Sequence, residues 1–257
     1  MVKGLYTAYT GMVNQQNRMD VLSNNLANAS TTGYKKEGST TQSFDTVLAY
    51  KIKDNSEATG SRHIGNMNLG VKIGENYTDY TQGSFRTTEN TYDLALSGEG
   101  FMAVEFTDKA GNTSTKYTRD GSFTLSKEGY LVTKDGDFVL DSAGKHIKLN
   151  PLMESSIDEA GNISQNGTRV ATIGIKDFTD YNYLKHYGEN YYQTVDGATQ
   201  KAATATVQSG YLEASNVQVV KEMVELISVT RAYESNQKLV QTIDGTLDVA
   251  ANQLGRV

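Results

Sequence analysis

The fold is decided at the C-terminal end, by residues 216–254, NVQVVKEMVELISVTRAYESNQKLVQTIDGTLDVAANQL. Val219, Leu226, Tyr233, Val240, Leu247 and Leu254 recur at every seventh position, and Val229, Asn236, Ile243 and Ala250 follow four of them by three. That is an a/d heptad seam, the pattern of a helix packed lengthwise on another helix. Ser215 and Gln218 have capping-box spacing, and Gly255 stands where a left-handed C-cap belongs. At 1.5 Å per residue this helix runs roughly 55 Å, too long for a small domain to cover. Val220, Met223, Val224 and Ile227 add a second apolar stripe beside the first. A helical hairpin buries one stripe only, so a helix apolar on two sides asks for two neighbours.

The N-terminal end repeats the pattern. Leu5, Met12, Met19 and Leu26 are spaced by seven, with Ala8, Gln15, Leu22 and Ala29 at the d positions. Gly11 weakens this helix by about 1 kcal/mol relative to Ala. Asn24, Asn25 and Asn28 favour side-chain hydrogen bonds over helix interior, and Thr31-Thr32-Gly33 ends the segment. Polar Gln15 and Asn236 on the seams are set to fix register at some loss of stability.

Between the ends the period changes. Residues 36–75 read as an extended connector, polar and turn-rich over 51–60 and punctuated by Gly65, Gly70 and Gly74. From Asn76 to Tyr211, short apolar or aromatic runs such as Phe101-Met102-Ala103-Val104, Phe138-Val139-Leu140 and Val170-Ala171-Thr172-Ile173 alternate with turns. Asp120-Gly121, Asp135-Gly136 and Asn166-Gly167 are among those turns. Spacings of this kind predict antiparallel hairpins in a sandwich or barrel-like β domain. The chain is therefore read as α+β, in four parts: an N-terminal helical arm over 1–35, the connector over 36–75, a central all-β domain over 76–211, and a C-terminal helical arm over 212–257. The two arms pack together as an axial coiled-coil domain.

Composition narrows the function. Of 257 residues, 37% are hydrophobic, low for one compact core, so part of the burial is expected from other subunits. The net charge of −6 is spread out with no basic face, which argues against nucleic acid. No apolar run approaches the roughly 18 residues that span a bilayer, so membrane insertion is not expected, and the N-terminus lacks a signal-peptide pattern. The absence of Cys excludes disulfides and thiolate metal sites. His63, His146 and His186 are isolated, so neither a metal nor a cofactor is expected. No nucleophile elbow and no phosphate loop is present, and the Asp-Gly turns lack the ligand alternation of a calcium loop. An enzyme is not expected.

Several blocks carry a resemblance. Asn24-Asn25-Leu26-Ala27-Asn28-Ala29-Ser30-Thr31-Thr32-Gly33-Tyr34-Lys35 resembles the N-terminal signature of the bacterial flagellar rod and hook proteins. Ala214-Ser215-Asn216-Val217, Glu222-Met223-Val224-Glu225-Leu226-Ile227 and Arg231-Ala232-Tyr233-Glu234-Ser235-Asn236 resemble their C-terminal signature. Gln82-Gly83-Ser84-Phe85, the run Asp93–Phe101, and Tyr117-Thr118-Arg119-Asp120-Gly121-Ser122-Phe123 resemble central blocks of the same family. The length leaves no room for an extra outer hook domain, so the chain is most similar to the distal rod subunit, with the proximal rod subunit as the alternative. It departs from the distal pattern over 46–75, where a Pro-containing stretch is missing.

The resemblance implies a structural subunit in the flagellar basal body, exported by the flagellar type III apparatus. It implies polymerisation with itself and with other rod and hook proteins into a helical tube that carries torque. The implied motif residues are Asn24, Asn25, Asn28, Gly33, Asn216, Arg231, Tyr233 and Asn236. Phe44 and Leu48 fit the loose pattern recognised at the export gate. Packing between subunits falls to Leu5, Met12, Met19, Leu22, Leu26, Val219, Leu226, Tyr233, Val240, Ile243, Leu247 and Leu254. A secreted trimeric β-domain binding module is the competing class, distinguished by closed rather than open-ended oligomers.

Overall fold

The computed structural model describes residues 2–51, 62–68, 70–109, 111–188 and 190–252. The chain divides into two compact units. The helical unit comprises Met1–Leu26, Glu37–Thr78 and Gln218–Val257; the β unit comprises Ala27–Lys36 and Asp79–Val217.

Helix α1 spans Val2–Ala27 and helix α2 spans Val219–Asn252. They run antiparallel, as the order of their contacts shows. Asn25 Nδ2 donates to Glu222 Oε2 at 3.4 Å, Arg18 pairs with Glu225 at 2.8 Å, and the Thr230 hydroxyl meets Met19 Sδ at 3.9 Å. Further along, Gly11 faces Asn236 and Gly4 faces Ile243.

The line of closest approach is offset from the expected seam. On α2 it follows the d positions, with Glu222 and Val229 buried and Asn236 and Ile243 half-buried. The a residues Leu226, Tyr233 and Val240 lie on the shoulder, half-buried, while Val219 and Leu247 are exposed. On α1, Ala8 and Leu22 are buried, and Leu5, Met12, Met19 and Leu26 are half-buried. The physical reason is Gly4 and Gly11, which present no side chain and let α2 come closest along their edge. A Cβ on Gly11 would sit 2.9 Å from Asn236 Nδ2. Leu254 and Gly255 lie outside the described residues.

Ser215 and Gln218 do not form a capping box. The Ser215 hydroxyl accepts from Val217 N at 3.3 Å, closing a turn before the helix. The Gln218 carbonyl accepts the first helical bond, from Glu222 N at 3.0 Å. The helix α2 therefore begins at Val219, three residues beyond Asn216.

The stretch expected as a connector without regular structure forms two antiparallel ladders. Strands are β1 (Glu37–Ser43), β2 (Val47–Lys51), β3 (Arg62–Met67) and β4 (Val71–Thr78). β1 pairs with β4 through a bulge between Ser39 and Thr41, and β2 pairs with β3. α1 turns its polar side to the first ladder: Asn14 Nδ2 donates to Thr41 Oγ1 at 3.0 Å. Thr10 lies against Gly70, next to that ladder. The ladder hides from sequence patterning because β1 is polar throughout and its second half is exposed.

The β unit continues the numbering with β5 (Phe85–Thr87), β6 (Leu94–Ser97), β7 (Phe101–Thr107), β8 (Thr113–Thr118), β9 (Thr124–Leu125), β10 (Leu131–Val132) and β11 (Phe138–Val139). Then come β12 (Ser155–Ile157), β13 (Asn162–Gln165), β14 (Thr168–Thr172), β15 (Ile175–Phe178), β16 (Leu184–Tyr187), β17 (Tyr191–Thr194), β18 (Gln200–Ala202), β19 (Thr206–Ser209) and β20 (Tyr211–Glu213). The main sheet orders β16-β17-β8-β7-β11-β10-β9, with β15 also on β7 and β18 on β15. Smaller antiparallel groups are β12-β13-β14, β19-β6 and β20-β5.

Strand β7 is covered on both faces, and period 2 divides its residues between two cores. Met102 and Val104 join Leu94, Leu96, Phe123 and Leu131 in one. Phe101 and Ala103 join Tyr117, Leu140, Phe178 and Tyr192 in the other. This double burial is why Phe101–Val104 is a continuous apolar run rather than an alternating one.

Candidate functional site: a buried polar node and the open helix faces

The family-like blocks converge in the β unit on one carboxylate. Glu213 ends β20 with its side chain fully buried. Its Oε1 accepts from Lys35 Nζ at 2.5 Å and from Gly83 N at 2.9 Å, and its Oε2 accepts from Arg119 Nη1 at 3.2 Å. Lys35 also donates to the Thr81 carbonyl at 2.9 Å, and Arg119 Nη2 donates to the Gly98 carbonyl at 2.8 Å. The Arg119 guanidinium lies over the Phe101 ring, 5.3 Å from its centroid. Burial pushes the Lys35 ammonium below its ordinary value, with Glu213 opposing the shift. Two cations on one carboxylate, all buried, form a site in which each member depends on the others.

Gly33 makes the approach. Its φ is +70°, and a Cβ there would lie 2.4 Å from Asp120 N. Its own N–H donates to the Glu213 carbonyl at 2.8 Å. Only glycine fits a left-handed residue against another backbone, which gives the motif glycine its reason.

Asn216 lies three residues beyond Glu213. Its Oδ1 accepts from Lys36 N at 2.7 Å, and its Nδ2 donates to the Asp79 carbonyl at 2.8 Å and reaches the Thr81 carbonyl at 3.2 Å. In the helical unit Asn25 plays a similar part. It is fully buried, donates to the Glu37 carbonyl at 2.8 Å and accepts from Glu37 N at 2.9 Å. Of the other motif residues, Asn28 accepts from the Thr31 hydroxyl at 3.2 Å, and Asn236 faces Gly11. Asn24 and Arg231 are exposed on their helices and Tyr233 is half-buried. Phe44 is half-buried and donates its amide to the Gly70 carbonyl at 3.1 Å. The Leu48 backbone belongs to β2, and its side chain lies outside the described residues.

Lys35 and Arg119 lie in the motif blocks, but nothing in those blocks points to the ion cluster they form. Glu213 lies outside the blocks and immediately precedes the Ala214-Ser215-Asn216 signature. No group of three or more His, Asp or Glu side chains that could hold a metal is formed among the described residues. His146 stacks on Phe138 at 4.4 Å and meets Glu105 at 3.2 Å, a surface arrangement. No helix among the described residues is long and apolar enough to cross a membrane.

Known proteins match along the whole chain. Residues 5–35 match the family described as "Flagella basal body rod protein", residues 95–167 the "Flagellar hook protein FlgE/F/G D1 domain", and residues 208–254 the "Flagellar basal body rod FlgEFG protein C-terminal". A flagellar basal-body rod protein FlgF of Caulobacter vibrioides is 34% identical over 259 residues, covering 100% of both chains. The chain belongs to the flagellar basal-body rod protein family. A rod protein FlgG of Bacillus subtilis is 34% identical over 272 residues, covering 98% of this chain and 99% of its own. The hook-basal body complex protein FlhO of the same organism is 32% identical over 272 residues, covering 100% of both chains. Membership makes this chain a structural rod protein of the flagellar basal body and not an enzyme. The secreted trimeric binding module is thereby set aside. The buried node and the helix faces are accordingly read as structural and assembly features.

Proposed function

We propose that the chain polymerises with copies of itself into a helical tube and transmits torque along it from motor to hook. The observation that carries this reading is the stripe α2 leaves open. Val220 is 77% exposed, Val224 63% and Ile227 54%, with Met223 beside them. They are spaced i, i+3, i+4, i+7 and form one face. On α1, Tyr6 and Tyr9 are exposed as well. One side of α2 is occupied by α1; the other is assigned to a neighbouring subunit, packed through heptad contacts that include Val219 and Leu247. Contacts between unlike surfaces do not close on themselves, so they build an open helix. Before assembly the arms are largely disordered, since neither buries its seam alone; they fold on joining neighbours at the growing tip, which keeps exported monomers from assembling early.

The distal rod is the position assigned here, next to other rod and hook proteins. The proximal rod is a second reading, because the stretch 46–75 departs from the distal pattern and rod proteins of two different names, FlgF and FlgG, are each 34% identical to the chain. Export is assigned to the flagellar type III apparatus, with Phe44 and Leu48 as its recognition pair.

Leu226→Asp and Leu247→Asp test the packing. Each places a charge on the helix faces and leaves the β unit untouched. Basal bodies from cells carrying either variant are expected to lack a rod beyond this subunit, while the purified variants keep the β-sheet circular dichroism of the parent. Normal rods from either variant overturn the reading.

A further inference from the structure

The β unit is built from two pieces of chain, 27–36 and 79–217, so the chain crosses its boundary after residues 26, 36, 78 and 217. Three of the four crossings meet one side chain. Asn216 Oδ1 takes the amide of Lys36, the last residue before one crossing, at 2.7 Å. Its Nδ2 holds the carbonyl of Asp79, the first residue after another, at 2.8 Å, and that of Thr81 at 3.2 Å. Asn216 itself stands one residue before Val217, where the third crossing begins. Asp79 N donates to the Lys36 carbonyl at 2.8 Å, closing the ring. The Thr81 carbonyl also accepts from Lys35 Nζ at 2.9 Å, which joins the ring to the buried Lys35–Glu213 pair. A carboxamide is suited to this place because it accepts and donates at once; a carboxylate only accepts and an ammonium only donates.

We propose that Asn216 is the clasp through which force carried by the chain is shared as it enters the β unit, a positioning residue for torque transmission. The proposal rests on the rod reading. A pull on any one of the three passages is met by the other two, because all are tied to the same amide group. Without the clasp the passages at Lys36 and Asp79 stay joined by their own backbone bond, but the passage at Val217 loses its tie to both, and load is no longer shared among the three.

Two variants of the full chain separate the outcomes. In Asn216→Ala the Lys36 amide is expected to exchange with solvent roughly tenfold faster, the loss of one ordinary hydrogen bond. The amides of Met102 and Val104 serve as an internal reference and stay unchanged. Cells carrying Asn216→Ala are expected to swim in dilute medium and to lose speed more steeply than the parent as viscosity rises. Asn216→Asp keeps the acceptor for Lys36 and loses both donors. It is expected to restore Lys36 protection and to retain the viscosity defect. Parental swimming at every viscosity in both variants overturns the force-sharing role, and an unchanged Lys36 amide in Asn216→Ala overturns the clasp. A strain lacking the whole gene that still swims overturns the rod reading instead.

Discussion

Replacing Glu213 by Gln keeps the shape of the buried node and removes its only carboxylate. Lys35 is 1% exposed and Glu213 0%, so water does not screen the pair. Removing one partner of a buried ion pair costs about 3–5 kcal/mol. An independent limit comes from Lys35 itself, which can escape by shedding its proton. Shifting an ordinary lysine from about 10.4 to 7 costs about 1.36 kcal/mol per unit, or roughly 5 kcal/mol. The two figures agree, and Arg119 adds to the deficit without that escape. The sign with pH follows. Burial already lowers the Lys35 ammonium with Glu213 opposing, and the variant lowers it further. A base lowered in the fold gains stability as pH rises from its folded value toward its unfolded one, near 10.4. The Glu213→Gln deficit therefore shrinks between pH 7 and 10. Guanidinium denaturation followed by tyrosine fluorescence reads it, since the chain has 16 Tyr and no Trp. A deficit below about 1 kcal/mol at pH 7, or one independent of pH, refutes the argument.

Other substitutions test neighbouring links. Gly33→Ala puts a Cβ 2.4 Å from Asp120 N at a φ of +70°, and is expected to cost more than about 2 kcal/mol in thermal or denaturant unfolding. Gly11→Leu is expected to separate α1 from α2 and lower the helical circular dichroism gained on polymerisation. Gly11→Ala is nearly neutral, because the obstructing Asn236 amide can swing aside and Ala gains about 1 kcal/mol of helix propensity. For Asp177, burial pushes the carboxyl up. The Lys201 ammonium at 2.9 Å and the Tyr181 hydroxyl at 2.8 Å outweigh it and hold the carboxyl below its ordinary value. Its contribution is thus present above about pH 4 and lost as pH falls further, so Asp177→Asn gives a flatter acid limb in a pH series of melting curves.

How far the sequence could be read depends on the range of the interaction. Periodicity is local, so both helices and the hairpins were legible, with turns at Asp135-Gly136 and Asn166-Gly167 where chain reversal needs them; Asp120-Gly121, expected as a turn, instead links β8 to β9, which do not pair with each other. The buried line between the helices was not, because heptad spacing weighs the apolar a positions. Contact here is set by the absence of side chains at Gly4 and Gly11 and, toward the other end of the pair, by Arg18, Asn25 and Glu222. The β1–β4 ladder escaped because Glu37–Ser43 is polar, held by backbone pairing rather than by an apolar face. The ion cluster escaped for distance: Lys35 and Glu213 are 178 residues apart, and no pattern in either segment names the other. The motifs did mark its neighbourhood, since Gly33, Gly83, Arg119 and Asn216 all lie in the quoted blocks.

The two helices are assembly elements, on this reading, while the β unit folds by itself. Amide hydrogen exchange on the full chain, dilute and then concentrated to polymerisation, tests it most directly. Helices α1 and α2 are expected to exchange freely when dilute and to become protected in the polymer, with residues 80–210 protected throughout. Equal protection of both helices at every concentration would contradict it, because the helix pair would then be complete within a single chain.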